Sequence, residues 1–167
     1  MNLFSEERDL LLREAERLHE RLLLSAQIGP DYFEPGKMEY LDRYEGRFDE
    51  DTGELLLRFD ARGTRYDGRS ERIEKVRAGD RIRLRRDPGN AFNPNNFVLL
   101  TEKGNDVGNM PAELCNAVAP LYDAGALTVL SASVSFVEPL SRRSRHARQA
   151  VLFIELRCRL MVCQEGA

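Results

Sequence analysis

The sequence has few of the residues on which catalytic and metal sites depend. It has no tryptophan, two histidines (His19 and His146) and three cysteines (Cys115, Cys158 and Cys163). No Ser-His-Asp or Cys-His spacing is evident, and no glycine-rich phosphate loop occurs. An odd number of cysteines in different sequence contexts does not predict a disulfide framework, so we expect reduced thiols in the core. The sequence therefore predicts no catalytic residue, no metal site and no cofactor.

Long apolar runs are also missing. No stretch approaches the ~18 consecutive apolar residues of a membrane-spanning helix. The N-terminus carries Glu6, Glu7 and Asp9, where a signal peptide would have basic residues. We therefore expect no membrane contact and, by default, a cytoplasmic location. A length of 167 residues suits one domain with a hydrophobic core but not two large ones.

The charge is unevenly distributed along the chain. Residues 1–60 carry 8 Lys/Arg and 16 Asp/Glu, whereas residues 61–167 carry 17 and 12. Within Arg62–Arg86 there are ten basic residues and four acidic ones, although the net charge of the whole chain is −3. This segment predicts a surface that can face phosphate groups. An ordinary solvated face of mixed charge is the alternative.

The first 28 residues have the pattern of an acidic amphipathic helix. Ser5 is placed to cap its N-terminus, and Gly29 and Pro30 follow its end. An apolar stripe lies on one face at helical spacing, formed by Leu11, Ala15, Leu18 and Leu22. We predict that this stripe packs on the rest of the protein or on a protein partner, and a coiled-coil dimer is the alternative. A linker and a hairpin are predicted over residues 29–57.

From residue 41 onward the pattern becomes that of short strands. Alternation is strict in Arg81–Arg85, where Ile82 and Leu84 share one face and three arginines share the other. Further strands are predicted over residues 41–48, 54–60, 97–100, 126–137 and 150–162, with a helix over 111–121 and a basic loop over 141–148. Many short strands with one inserted helix are typical of a small closed or partly open β-barrel. We therefore predict a mainly β domain over residues 58–163.

A loop rich in asparagine interrupts these strands. Asn90, Asn93, Asn95 and Asn96 surround a single aromatic residue, Phe92. Asparagine amides can bond base edges or sugar hydroxyls, and an aromatic ring can stack on a base. The sequence therefore indicates a recognition loop. Because asparagine is also a common turn former, an Asx-rich turn is the alternative.

Five short motifs in this order resemble the HIRAN family. They are Gly63-Thr64-Arg65-Tyr66, Gly79-Asp80, the run Asn90 to Phe97, Gly104-Asn105-Asp106-Val107-Gly108-Asn109-Met110-Pro111, and Leu121-Tyr122-Asp123-Ala124-Gly125. The resemblance covers about residues 58–160 and is that of a standalone bacterial member. It implies an OB-like β-barrel without catalytic activity that captures the 3′ end of single-stranded DNA and acts with DNA-processing partners in DNA repair.

The resemblance also implies roles for individual residues. Arg65 would contact a phosphate, Tyr66 would stack on a base, and Phe92 would occupy the aromatic position of the loop. Asn90 and Asn93 would bond the terminal nucleotide. The remaining predicted DNA contacts are Asn95 and Asn109, and the predicted phosphate contacts are Arg81, Arg83, Arg85, Arg142, Arg143 and Arg145.

Three departures from the family pattern bear on specificity. Asn93 replaces an acid, and an amide accepts a weaker hydrogen bond from a 3′-hydroxyl than a carboxylate does. Asp67 stands where a second aromatic residue can occur, and its charge would repel phosphate. Asn109 replaces a tyrosine or histidine. The predicted acidic N-terminal helix and the departures at Asp67 and Asn93 motivate a second hypothesis, a protein-interaction or scaffold module that has kept the barrel without DNA binding. An enzyme whose scattered groups converge in the fold is a third.

Overall fold

A computed structural model describes residues 45–48 and 52–160 of the chain. The predicted acidic helix of residues 1–28, most of the predicted linker and Cys163 lie outside the described residues. In chain order the elements are β1 (Glu45–Phe48), β2 (Glu54–Asp60), α1 (Arg69–Ile73), β3 (Ile82–Arg86), β4 (Phe97–Thr101), β5 (Asp106–Asn109), α2 (Ala112–Asp123), β6 (Leu127–Glu138), a 3-10 turn (Leu140–Arg142) and β7 (Val151–Leu160). The prediction of a mainly β fold is confirmed.

A four-stranded antiparallel sheet has the strand order β1-β2-β7-β6. Alternation along β2 buries Leu55, Leu57 and Phe59, and their partners across β7 are the equally buried Cys158, Leu156 and Ile154. The opposite face carries charged residues, among them Glu54 and Arg159, which form an ion pair at 3.2 Å. This sheet therefore turns one face toward the core and the other toward water.

The other sheet has the order β3-β4-β5, and contacts at both of its ends join it to the first sheet. At one junction Arg81 pairs with Ser133 of β6, and at the other Arg62, just after β2, pairs with Asn109 of β5. The second junction has two backbone hydrogen bonds, of 2.8 and 2.9 Å. The pairing therefore runs from β2 through β7, β6, β3, β4 and β5 back to the end of β2. This ring is the small barrel that the strand pattern predicted.

The inserted helix α2 supplies part of the core. It begins at Ala112, one residue later than predicted, with Pro111 at its N-cap, and it ends at Asp123, two residues later than predicted. Its buried face consists of Leu114, Cys115, Val118, Ala119 and Leu121. No helix among the described residues combines the length and the apolar character that crossing a membrane would need.

Two cysteines are core residues, as the sequence predicted. Cys115 and Cys158 are fully buried and unpaired. Burial raises the pKa of the Cys115 thiol to about 11 and that of Cys158 to about 12. Because only the thiolate reacts readily with alkylating agents, both residues should stay unlabelled by iodoacetamide at pH 8 until the protein is unfolded. Mass spectrometry of alkylated peptides with and without urea measures this. Equal labelling of either cysteine in both conditions would contradict the packing.

Two short elements were not predicted from the sequence. The helix α1 has five residues and begins after Gly68, and β5 has four residues, Asp-Val-Gly-Asn. In addition, β2 pairs along its whole length with β7, so the boundary predicted between residues 57 and 58 falls inside a strand of the barrel. Both short elements contribute to the candidate site.

Candidate nucleic-acid interface

The loop that carries Arg65 and Tyr66 connects β2 to α1 and is anchored from below. Thr64 is buried, and its hydroxyl donates to the carbonyl oxygen of Ala150 at 2.8 Å. The buried hydroxyl of Ser70 donates to the carbonyl oxygen of Thr64 at 2.7 Å and accepts from the amide of Ala150 at 3.0 Å. These bonds hold the loop against the start of β7. They leave Arg65 and Tyr66 on the outside, where the Tyr66 side chain is 59% exposed.

Arg65 and Tyr66 lie beside each other. The guanidinium carbon of Arg65 is 5.6 Å from the centre of the Tyr66 ring, which is within the range of a cation–π contact. The pair therefore presents a positive charge and a flat ring at one exposed point. A phosphate and the base attached to it require these two features.

A buried arginine fixes the same loop to β5. Both the Nε and the Nη2 of Arg69 donate to the carboxylate of Asp106, at 3.0 and 3.1 Å, and its Nη1 donates to the carbonyl oxygen of Gly63 at 3.1 Å. The backbone of Gly63 has a φ of +70°, and a Cβ there would lie 2.8 Å from Nη1 of Arg69. Glycine is therefore required at this position if the arginine is to reach the loop.

Asp67 occupies a strained backbone position, with a φ of +58°. Aspartate and asparagine tolerate the left-handed region better than other non-glycine residues do, because their short side chains can bond locally. The local backbone therefore accounts for an aspartate where the family pattern allows an aromatic residue. Its charge nevertheless lies next to Tyr66.

Hydrogen bonds within the asparagine loop determine its shape. The Oδ1 of Asn90 accepts from the amides of Phe92 and Asn93, at 2.9 and 3.0 Å, and the Oδ1 of Asn93 accepts from the amide of Asn95 at 3.0 Å. These are the bonds of Asx turns, as in the alternative interpretation of the sequence. Phe92 is held at the tip, where its side chain is 97% exposed.

The base of this loop is anchored by Asn116 of α2, which the sequence analysis did not identify. The Oδ1 of Asn116 accepts from the side-chain amides of Asn93 at 3.0 Å and Asn95 at 3.2 Å. An amide at position 93 can donate to Asn116, whereas a carboxylate could not. The asparagine that replaces the family's acid at position 93 therefore has a hydrogen-bond acceptor on α2, Asn116.

Arg86 anchors the other side of the loop. It donates to the carbonyl oxygens of Asn96 at 2.8 Å and Pro94 at 3.1 Å, and two further bonds, both of 2.9 Å, join it to Asp123. The hydrogen bond between them raises the pKa of Arg86 and lowers that of Asp123. In the alternation of β3, position 86 falls on the apolar face of Ile82 and Leu84. An arginine there indicates a fixed partner, and this signal could have identified Arg86 from the sequence.

Asn109 joins the two loops. Its Oδ1 accepts from the side-chain amide of Asn96 at 3.1 Å, and its backbone pairs with Arg62 at the start of the Arg65–Tyr66 loop. The sequence predicted Asn109 as a DNA contact, and the structure gives it a connecting role between the segments that carry Tyr66 and Phe92.

The predicted phosphate contacts on β3 and at the residue before it lie in a row. Arg81, Arg83 and Arg85 are exposed. Arg85 and Asn109 both pair with Val98, so the three residues lie side by side across the sheet and share a face. Since neighbouring strands are about 4.8 Å apart, Arg85 lies about 10 Å from the backbone of Asn109. The row therefore leads to the two loops.

The basic loop after β6 is fixed in part. Arg143 forms an ion pair with Glu138 at 3.2 Å and donates to the carbonyl oxygen of Gln149 at 2.8 Å. The hydroxyl of Ser141 donates to Glu74, which lowers the pKa of that carboxyl. These bonds give Arg143 a role inside the loop. Arg142 and Arg145, the other predicted phosphate contacts, are exposed.

The part of the chain that the structure describes contains no group of three His, Cys, Asp or Glu side chains placed to hold a metal ion. His146 lies exposed in the basic loop. The side chains of the two loops offer aromatic rings, amides and guanidinium groups, which can stack on bases, form hydrogen bonds and attract phosphate.

Comparisons with known proteins point to one family. The family model for the HIRAN domain matches residues 55–154. The crystal structure of the HIRAN domain of human HLTF is 24% identical over 61% of this chain and 74% of that chain, with a TM-score of 0.44. A crystal structure of a protein from Lactobacillus plantarum is 19% identical over 63% and 98%, with a TM-score of 0.47. The NMR structure of the HLTF HIRAN domain in its DNA-bound conformation is 21% identical over 63% and 75%, with a TM-score of 0.42. A comparison with curated protein sequences finds no match.

Proposed function

Because this chain belongs to the HIRAN domain family, we propose that it is a nucleic-acid-binding module that recognises single-stranded DNA, including its 3′ end. The observation that carries the proposal is a pair of exposed aromatic rings on two anchored loops. Tyr66 and Phe92 are 59% and 97% exposed, and the hydrogen bonds of Asn109 connect the loops that hold them. Exposed rings on fixed backbones suit base stacking, because little conformational freedom is lost when a base binds.

The charges around the rings support the same function. Arg65 lies against Tyr66, and Arg85 lies across the sheet from Asn109. Guanidinium groups bind phosphate oxygens well, and phosphate contacts supply most of the affinity for nucleic acids of any sequence. Duplex DNA keeps its bases stacked on each other, so the rings favour single strands. On the outer face of the four-stranded sheet, by contrast, the partly exposed ring of Phe136 packs against Phe153, and Arg159 is ion-paired with Glu54.

The asparagines support a weak preference for the chain end. The side chain of Asn93 already accepts one bond within the loop and donates another to Asn116 of α2, and its amide is neutral. A further hydrogen bond from a 3′-hydroxyl to this amide would contribute about 0.5–1.5 kcal/mol. We therefore expect a free 3′-hydroxyl to improve binding by about 2- to 12-fold over a blocked end.

Fluorescence anisotropy with a short DNA labelled at its 5′ end tests this function. At about 50 mM salt the chain should bind the single strand, bind it more weakly as salt rises, and bind the matching duplex less tightly. A second titration uses the same strand with a 3′-phosphate to measure the end preference. Absence of binding to every strand would overturn the proposal and favour the protein-interaction alternative. Equal binding with and without the 3′-phosphate would leave a single-strand binder and remove the end preference.

The Asn93→Asp variant provides a sharper test of the end preference. A carboxylate forms a stronger hydrogen bond with a 3′-hydroxyl than an amide does, and Asn116 can turn its own amide to donate to it. The ratio of affinities for the free and the blocked end should therefore rise by about fivefold or more. A ratio that stays at the wild-type value would place the terminal nucleotide away from Asn93.

Removing the charge of Asp67 should strengthen binding. Asp67→Asn keeps a residue that tolerates the left-handed backbone and removes a carboxylate beside Tyr66. We expect a two- to fivefold gain in affinity at low salt, since an exposed charge near a phosphate contributes about 0.5–1 kcal/mol. The matched control is Glu155→Gln on the outer face of the four-stranded sheet, which changes the net charge equally. Equal gains in both variants would show that only net charge matters.

Binding alone neither forms nor breaks covalent bonds. The proposed module would therefore present or hold single-stranded DNA for a DNA-processing partner, and repair is the process that the family resemblance implies. A partner that co-purifies with the full chain should be lost from a variant that lacks residues 1–28. That loss would indicate that the acidic segment makes the protein contact.

A further inference from the structure

A groove of about 790 Å³ lies at the far end of the arginine row from the asparagine loop. One wall is α1 with the turn that follows it, and the opposite wall is the turn between β4 and β5. Five cationic side chains line it: Arg72, Lys75, Arg77, Arg81 and Lys103. Three carboxylates also line it, from Glu71, Asp80 and Glu102, so the balance within the groove is positive.

The cations of this groove are not neutralised by ion pairs. Within residues 52–160, the ion pairs involve other arginines: Arg62, Arg69, Arg86, Arg143 and Arg159. Arg72 donates to the backbone carbonyl oxygen of Asp106, which orients the guanidinium without cancelling its charge. Asp80 accepts from the amide of Arg77 at 2.9 Å and so caps a turn. A concave surface with unpaired cations concentrates a field that attracts anions.

The groove is continuous with the proposed DNA surface. Arg81 lines the groove and begins the row that continues through Arg83 to Arg85. Alternate residues of a strand are about 6.8 Å apart, so the row spans about 14 Å between the groove and the loops. The Nη2 of Arg83 approaches the carbonyl oxygen of Glu102 at 3.5 Å, which places this guanidinium at the rim of the groove. A strand of DNA would thus meet positive charge along the whole path.

We propose that this groove is a second subsite, which binds backbone phosphates of the same DNA strand beyond the nucleotides held at Tyr66 and Phe92. This inference rests on the proposed function. It adds the direction in which the bound strand crosses the surface and the length of strand that the protein contacts. The groove offers guanidinium and ammonium groups and no exposed aromatic ring, so it would contact phosphates without reading bases. A strand too short to pass the arginine row gains nothing from the groove, whereas a longer strand does.

The test uses a groove variant and a control with the same change in charge. Lys75→Gln/Lys103→Gln removes two groove cations that take part in no ion pair among the described residues. Arg157→Gln/Arg159→Gln removes two cations from the outer face of the four-stranded sheet. Anisotropy titrations with single strands of 4 and 12 nucleotides, at several salt concentrations, give affinities and salt slopes. Circular dichroism verifies that all three proteins are folded.

The groove variant should bind the 12-nucleotide strand at least fivefold more weakly than the wild type and bind the 4-nucleotide strand equally well. Its salt slope for the longer strand should fall by about 1.4, because each phosphate contact of a single strand contributes about 0.7. The control variant should bind both strands like the wild type. Equal losses of affinity in the two variants, or no loss of affinity for the 12-nucleotide strand in the groove variant, would overturn the groove subsite. Binding of the 4-nucleotide strand by the wild type would in that case leave the proposed function intact. If the wild type bound neither strand, the proposed function itself would fail.

Discussion

Replacing Phe92 with alanine should weaken the binding of single-stranded DNA by about 5- to 150-fold and leave the stability of the fold nearly unchanged. The loss corresponds to the ~1–3 kcal/mol that one base–aromatic stack contributes. Because the ring is 97% exposed, its removal takes no packing from the core. The free energy of unfolding should change by less than about 0.5 kcal/mol, as for other surface substitutions. Anisotropy titration and urea denaturation measure the two quantities on the same protein.

The matched control is Phe92→Tyr, which keeps a flat ring at the same position. It should bind DNA within about twofold of the wild type, because stacking depends on the aromatic face and not on the edge substituent. Unaltered binding by Phe92→Ala would remove this loop from the interface. A large fall in stability would instead show that the ring packs in the fold, contrary to its exposure.

The second large effect is expected at Ser70, which touches no ligand. Ser70→Ala removes the donor to the carbonyl oxygen of Thr64 and the acceptor for the amide of Ala150. Both partners belong to buried residues, and each buried group left without a hydrogen bond costs about 1–3 kcal/mol. The free energy of unfolding should therefore fall by about 2–6 kcal/mol. Affinity for DNA should fall as well, since the same bonds hold the loop of Arg65 and Tyr66.

Ser144→Ala is the control for this substitution, because Ser144 is exposed in the basic loop. Its urea midpoint should match that of the wild type. Affinity is measured at a temperature where the Ser70→Ala protein is fully folded, so that unfolding does not reduce the active fraction. A Ser70→Ala protein as stable as the wild type would mean that the two buried groups find other partners. Reduced stability with unchanged affinity would separate the anchor from the binding loop.

The sequence alone predicted the elements whose signals are local. Alternation in Arg81–Arg85 placed β3, and the apolar run of Phe97–Leu100 placed β4. A proline in the first turn and an apolar face placed α2. Periodicity reveals a strand such as β2 or β3 because one face is buried, whereas a short apolar run reveals β4, where Phe97–Leu100 are all buried. Burial of Cys115 and Cys158 followed from their surroundings in apolar segments.

Elements that depend on distant partners were not predictable in this way. The helix α1 is only five residues long, too short to show a helical period, and it is stabilised by Arg69, whose partner Asp106 lies 37 residues away. The strand β5 contains a glycine, Gly108, and that residue lies against Ala61 and Arg62, which directly follow β2. A Cβ at Gly108 would lie 3.1 Å from the carbonyl oxygen of Arg62. Only the folded chain reveals such contacts.

In the candidate site, too, residues with local sequence signals were predicted, whereas those that depend on distant partners were not. The motifs identified Arg65, Tyr66 and Phe92, and the structure places all three on the surface. The roles given to Asn90, Asn93, Asn95 and Asn109 as DNA contacts remain predictions. Hydrogen bonds of their side chains shape and connect the loops. Composition alone could not distinguish this structural role from base recognition. Asn116 was missed because it holds the loop from a neighbouring helix, which no local pattern indicates, whereas Arg86 could have been identified from its place on the apolar face of β3.

The most direct test of the central claim is a map of the surface that DNA contacts. Two-dimensional NMR spectra of the ¹⁵N-labelled chain would be recorded during titration with a short single-stranded DNA. The proposed function predicts that shifts concentrate in residues 61–68, in residues 85–96 and at Asn109. Amides of Glu155–Arg159, on the outer face of the four-stranded sheet, should stay unchanged. Shifts concentrated on that outer face, or none at a DNA concentration of about 1 mM, would contradict a nucleic-acid interface built on Tyr66 and Phe92.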